Sequence, residues 1–141
     1  MLLADEILQR ATIEENRWAG ARALARAQRN SYTGVLKKHG VAGKGYMHCT
    51  EAVYTNLLGG KSFQLRVQRG LPMKANLRDS MDIAELSFVM AAEALSAERI
   101  EEERRFGNIQ CVEASATGAS AIRSAIVQDR KQRQRRLPEG I

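Results

Sequence analysis

Apolar positions recur at helical spacing through most of this 141-residue chain. From Leu3 to Asn30 there is no proline and Gly20 is the only glycine, while good helix formers (Ala, Leu, Arg, Glu and Gln) dominate. Ile7, Ala11, Trp18, Ala21 and Ala25 mark a stripe, interrupted near Glu14. Acids lie early (Asp5, Glu6, Glu14, Glu15) and arginines late (Arg17, Arg22, Arg26, Arg29), the order a helix dipole favours. This stretch predicts a long first helix. Asn30 or Ser31 can cap a short second helix running through His39, with Val35 and Leu36 inward and Gly40 closing it. Gly40 to Gly45 (GVAGKG) follows as a flexible loop. Thr50 then suits the cap of a third helix to Leu58, ended by Gly59 and Gly60. In Ser62 to Gln68, Phe63, Leu65 and Val67 alternate with polar residues as in a strand, yet Ser62 and Gly70 also suit the two ends of a short helix. No neighbouring segment alternates to pair with a strand, so the reading is helix.

The stretch Gly70 to Ile100 organises the rest. Gly70 and Pro72 make a turn, and Asp82 stands three residues before Glu85 in a variant of the capping box. Ile83, Ala84, Leu86, Phe88, Val89, Met90, Ala91, Ala92, Ala94 and Leu95 then occupy nearly the whole circumference, which predicts burial on most sides. From Ala97 the pattern turns polar, and Gly107 is a natural stop. A further helix is expected from about Glu113 to Gln128, carried by Ala119, Ile122, Ala125 and Ile126 and weakened by Gly118. Pro138 and Gly140 end any helix beyond it. The expected fold is all-α: one compact domain (1–129) of five to seven helices around a central helix near 82–106, then a basic C-terminal tail (130–141).

Length fits a single domain with a real core. No apolar run reaches about 18 residues, so no transmembrane helix is expected. The N-terminus meets Asp5 and Glu6 without a basic flank, unlike a signal peptide. The expected location is therefore cytoplasmic, with Cys49 and Cys111 as reduced thiols. His39, His48, Cys49 and Cys111 are four soft ligands without paired metal-site spacing. The GVAGKG loop departs from the phosphate-loop spacing and follows no strand. Cys49 reads as a packed small residue ahead of a helix, not as a nucleophile. Asp79, Asp82, Glu85 and Glu93 do not converge on a helical reading, and no acid–base pair stands out. A non-enzymatic protein with no metal and no cofactor is expected.

The net charge of +6 favours acidic partners. It concentrates in Arg17, Arg22, Arg26 and Arg29 of the first helix and in Arg130, Lys131, Arg133, Arg135 and Arg136 of the tail. Arginine forks bind carboxylate and phosphate alike, so these nine are the candidate binding residues. No aromatic residue lies in the tail to stack on bases; Trp18, Tyr32, Tyr46 and Tyr54 are elsewhere.

A set of residues also carries a family likeness. Gly45-Tyr46, then Ala52, Tyr54, Leu57 and Leu58, are followed by Leu71-Pro72 and Leu77-x-Asp79-x-Met81. Glu85-Leu86, Ala92, Leu95, Glu98-x-Ile100, Ile122-Arg123 and Leu137-Pro138 complete the pattern. From about Arg17 to Pro138 the chain resembles the C-terminal half of DNA-damage-inducible protein D and related phage proteins of the BRO/antirepressor type. Members of that family usually carry a domain ahead of this region, whereas this chain starts in what resembles the connecting helix. The resemblance favours helix over strand at Ser62 to Gln68. It implies a damage-response or lysogeny regulator that binds and inhibits a partner protein, a repressor or a RecA-like recombinase. The alternative expectation is DNA or RNA binding through the same arginines. A homodimer through the long first helix is a further expectation.

Overall fold

Five α-helices and one 3-10 turn make up the computed structural model, which describes residues 2–136; among them there is no strand. Helix α1 (Leu2–Lys38) is one continuous rod. The break expected at Asn30–Ser31 does not occur, because Ala25, Tyr32 and Leu36 fall on one buried face that runs straight through it. Only the C-terminal half of α1 enters the body. From Leu3 through Gly20 every residue is exposed, so Ile7, Ala11 and Trp18 of the predicted stripe lie outside the core.

Gly40 ends α1 with φ at 81°, and the ring of Phe106 occupies the space where a Cβ would stand. Helix α2 (Gly45–Leu58) starts earlier than Thr50. Thr50 lies inside it, its hydroxyl donating to the Tyr46 carbonyl at 3.0 Å. The glycine-rich connection before α2 is clamped by a single side chain. Asn108 accepts from the Ala42 N–H at 2.9 Å and donates to the Ala42 carbonyl at 3.1 Å.

Residues Ser62–Gln68 are helical (α3), in agreement with the sequence reading, with Gly70 left-handed just beyond. Ser62 does not cap α3; its N–H and hydroxyl both donate to the Glu51 carboxylate. A 3-10 turn at Leu77–Ser80 follows, capped by the Asn76 side chain. Helix α4 (Ile83–Glu102) starts at Asp82, whose carboxylate accepts from the Glu85 N–H at 2.8 Å. The other half of the expected capping box is diverted, because Glu85 takes the Arg69 guanidinium through two bonds of 2.6 and 3.0 Å.

Helix α4 packs against α1, α2 and α5, and α2 also lies along α5. Its buried face carries Leu86, Val89, Ala92, Glu93, Ser96 and Ile100. It is not buried on most sides: Ile83, Ala84, Ser87, Ala91 and Ala94 face outward, because a neighbour covers only part of its circumference. Gly107, expected as its stop, instead opens helix α5 (Gly107–Arg136), which begins before Glu113 and continues past Gln128. Arg130 to Arg136 are therefore its last turns, while Leu137-Pro138 and Gly140 lie outside the described residues.

Gly118 does not weaken α5; it permits the contact with α4. A Cβ there would meet Ser96, including its backbone N and Cα at 3.1 Å. Replacing Gly118 by Ala adds about 1 kcal/mol of helix propensity but forces two helix backbones apart, a strain of about 1–3 kcal/mol. Gly118→Ala is accordingly expected to lower the urea midpoint, and Gly118→Val to lower it further.

Candidate functional site

The candidate site is built around a charge the fold has to bury. Glu93 projects from α4 into the space between α1 and the 3-10 turn and is 1% exposed. A lone carboxylate there would be very costly, so its partners are obligatory. Arg78, carried by the 3-10 turn, donates to Oε1 and Oε2 of Glu93 at 3.3 and 3.0 Å. Arg29, from α1, donates to Oε2 at 3.3 Å. Arg78 also donates through Nε to the Tyr54 hydroxyl at 3.1 Å, with its guanidinium 5.8 Å from the Tyr54 ring centre. Burial alone would lower the Arg78 pKa, but the charge of Glu93 and the bonds to Glu93 and Tyr54 outweigh it and hold the pKa above its ordinary value.

This network floors a cleft of about 280 Å³ lined by Arg22, Arg26, Arg29, Tyr54, Asn76 and Arg78. Arg22 pairs with Asp79 of the 3-10 turn and lies over the Trp18 ring at 5.1 Å. Arg26 makes no ion pair among the described residues. Four guanidiniums thus face two carboxylates, Glu93 and Asp79, and leave an excess of positive charge. Guanidinium groups stay protonated at any physiological pH, so the arginines of the cleft can hold and orient an anion.

Of the nine predicted binding residues, the fold brings Arg22, Arg26 and Arg29 together here. Arg17 stays apart on the free part of α1, paired with Glu14 at 3.5 Å. Arg130 lines a second cleft with Arg69, Glu85 and Arg123. Arg133 pairs with Asp129 at 2.9 Å, and Lys131, Arg135 and Arg136 are exposed on the end of α5. Sequence reasoning missed Arg78, Tyr54 and Asn76, and treated Glu93 only as one of several acids. The available signal was a single acid inside the apolar run Val89 to Leu95, where a charge needs a partner.

The other acids are separately committed, Asp79 to Arg22 and Glu85 to Arg69. Cys49 lies within α2, not ahead of it, and is fully buried, as is Cys111. Burial, followed by the nearby Cys111, pushes the Cys49 thiol up to about 11. Burial likewise raises Cys111 and, against its bond to Ser115, Tyr32. Comparison with protein-family models and with curated proteins gives no match.

Two outcomes are expected. Glu93→Gln leaves Arg29 and Arg78 without their counter-charge and should destabilise the protein by about 3 kcal/mol, measured by chemical denaturation. The Cys49 thiol, raised in the fold, adds stability that is fully present below its unfolded value of 9.0 and lost as pH rises toward about 11. The urea midpoint should therefore fall above pH 9, less steeply in Cys49→Ala.

Proposed function

We propose that this protein is a non-catalytic regulator of the phage, mobile-element or damage-response kind, which binds an acidic element of a partner protein and blocks it. The partner class is a repressor or a RecA-like recombinase, and the setting is the cytoplasm. The observation that carries this reading is the arginine cleft. Three α1 arginines and Arg78 converge, and Glu93 fixes Arg29 and Arg78 in place before any ligand arrives. Preorganised guanidinium forks favour carboxylate or phosphate groups through paired, charge-assisted bonds. A cleft of about 280 Å³, three of whose arginines are already paired with Glu93 or Asp79, suits one acidic side chain better than a continuous phosphate backbone.

A second reading has its own support. The end of α5 presents Arg130, Lys131, Arg135 and Arg136 in exposed positions, a surface suited to the phosphates of DNA or RNA.

Fluorescence anisotropy separates the two. A labelled Asp/Glu-rich peptide and short single- and double-stranded DNA are titrated over a salt series against the wild type, Arg26→Glu and a triple Lys131/Arg135/Arg136→Gln variant. The regulator reading expects peptide binding that Arg26→Glu abolishes and the triple variant leaves intact. Binding to DNA alone, with a log–log salt slope of about −3 to −5 that the triple variant makes shallower, would replace it with the nucleic-acid reading.

A further inference from the structure

The free part of α1 is the largest feature that the arginine cleft leaves unexplained. Leu3, Ile7 and Trp18 are 71%, 59% and 38% exposed, and Leu8 and Ile13 are exposed with them. At 3.6 residues per turn, Leu3, Ile7, Ala11 and Trp18 share one side of the helix. That side is continuous with the face of Ala25, Tyr32 and Leu36, through which the same helix enters the core. A core-forming face therefore runs on uncovered for roughly five turns beyond the body. Glu14 interrupts that side, but Leu3, Ile7, Ala11 and Trp18 exposed along it mark an interaction site.

Charge identifies what covers it. Within the exposed part of α1, Leu3 to Gly20, the acids are Asp5, Glu6, Glu14 and Glu15 and the arginines are Arg10 and Arg17. Two copies of this helix laid parallel would set acid on acid and arginine on arginine. Laid antiparallel with Ile7 opposite Trp18, they set Arg10 of each near Glu14 and Glu15 of the other, and Arg17 near Asp5 and Glu6. We propose that the exposed face of α1 pairs antiparallel with the same face of a second copy, Ile7 of each packing on Trp18 of the other. The contact is self-complementary and closes on two copies. It sets Ala11 beside the two-fold axis and brings Arg10 of one copy next to Glu14 of the other. The cleft lies farther along α1, so this pairing is independent of what the cleft binds.

Sedimentation equilibrium of the full chain should give twice the 15.7 kDa chain mass at tens of micromolar. Ile7→Glu should give a monomer whose thermal unfolding matches that of the wild type at dilutions where both are monomeric, since the side chain is exposed and apart from the core. Glu14→Lys, which faces Arg10 with a like charge, should weaken the dimer about tenfold, a loss of about 1.4 kcal/mol. Trp18 is the only tryptophan, and its emission should shift to the blue as concentration rises in the wild type but not in Ile7→Glu. A short bifunctional thiol reagent should link Ala11→Cys to its copy, while Leu3→Cys should not react across the pair, its two thiols lying roughly 28 Å apart along the helices. A wild type that stays monomeric, a dimer indifferent to Ile7→Glu, or linkage at Leu3→Cys in place of Ala11→Cys would each overturn the proposal.

Discussion

A carboxylate that cannot reach water holds this fold in register. Glu93 lies inside the bundle, and its partners come from α1 and from the 3-10 turn, while the Tyr54 hydroxyl of α2 secures Arg78 from behind. Sliding α1 or α4 by one turn would separate Glu93 from Arg29 and leave a buried charge exposed to an apolar interior, at a cost of several kcal/mol. Hydrophobic contacts between Leu, Val and Ala tolerate small shifts; this network does not. It is also why the candidate site is rigid: the groups that stabilise the packing are those that floor the cleft.

The α4–α5 contact works by a different means. Gly118 lets the two backbones approach, and the small polar side chains at the crossing are satisfied locally. The Ser96 hydroxyl donates to the Ala92 carbonyl at 2.7 Å, and Ser115 bonds the Tyr32 hydroxyl arriving from α1. One end of the bundle is closed in the same economical way. The ring nitrogen Nδ1 of His39 bonds the Arg105 carbonyl at 2.8 Å, the Gly107 N–H donates to the His39 carbonyl at 2.8 Å, and Phe106 covers Gly40. These contacts join the α1–α2 and α4–α5 connections, which are distant in sequence, and the body needs no disulfide to hold them.

Both outer helices run out of this body, and they do so with different chemistry. The free part of α1 carries Leu3, Ile7, Ala11 and Trp18 along one side with acids and arginines between them, whereas the end of α5 is exposed and basic. A packed centre with an arginine-lined cleft and two projecting helical ends is the arrangement on which the proposed reading rests. Under the two proposals, recognition and assembly fall to separate parts of the same chain, with α1 contributing arginines to the one and its apolar side to the other.

Periodicity and capping chemistry were enough to establish the all-α class, the long first helix and the start of α4 at Asp82, while the helical state of Ser62 to Gln68 was read from the lack of any segment to pair with a strand. The first three depend on interactions between residues a few positions apart, which a sequence displays directly. Helix ends set by distant partners were not legible. Asn30 and Ser31 look like a cap, yet Tyr32 carries the buried face through them; Gly107 looks like a stop, yet it starts α5. The same limit governs the site. Composition alone pointed to the α1 arginines as binding residues, but they are spread from Arg10 to Arg29, and their side chains look alike in a sequence. Only the packing of α1 on α4 decided that Arg29 turns inward to Glu93, that Arg22 and Arg26 share a cleft with Arg78, and that Arg17 stays outside. The physical reason is that a helix determines the angles between its own side chains, while the direction in which they all point is determined by the surface it packs against.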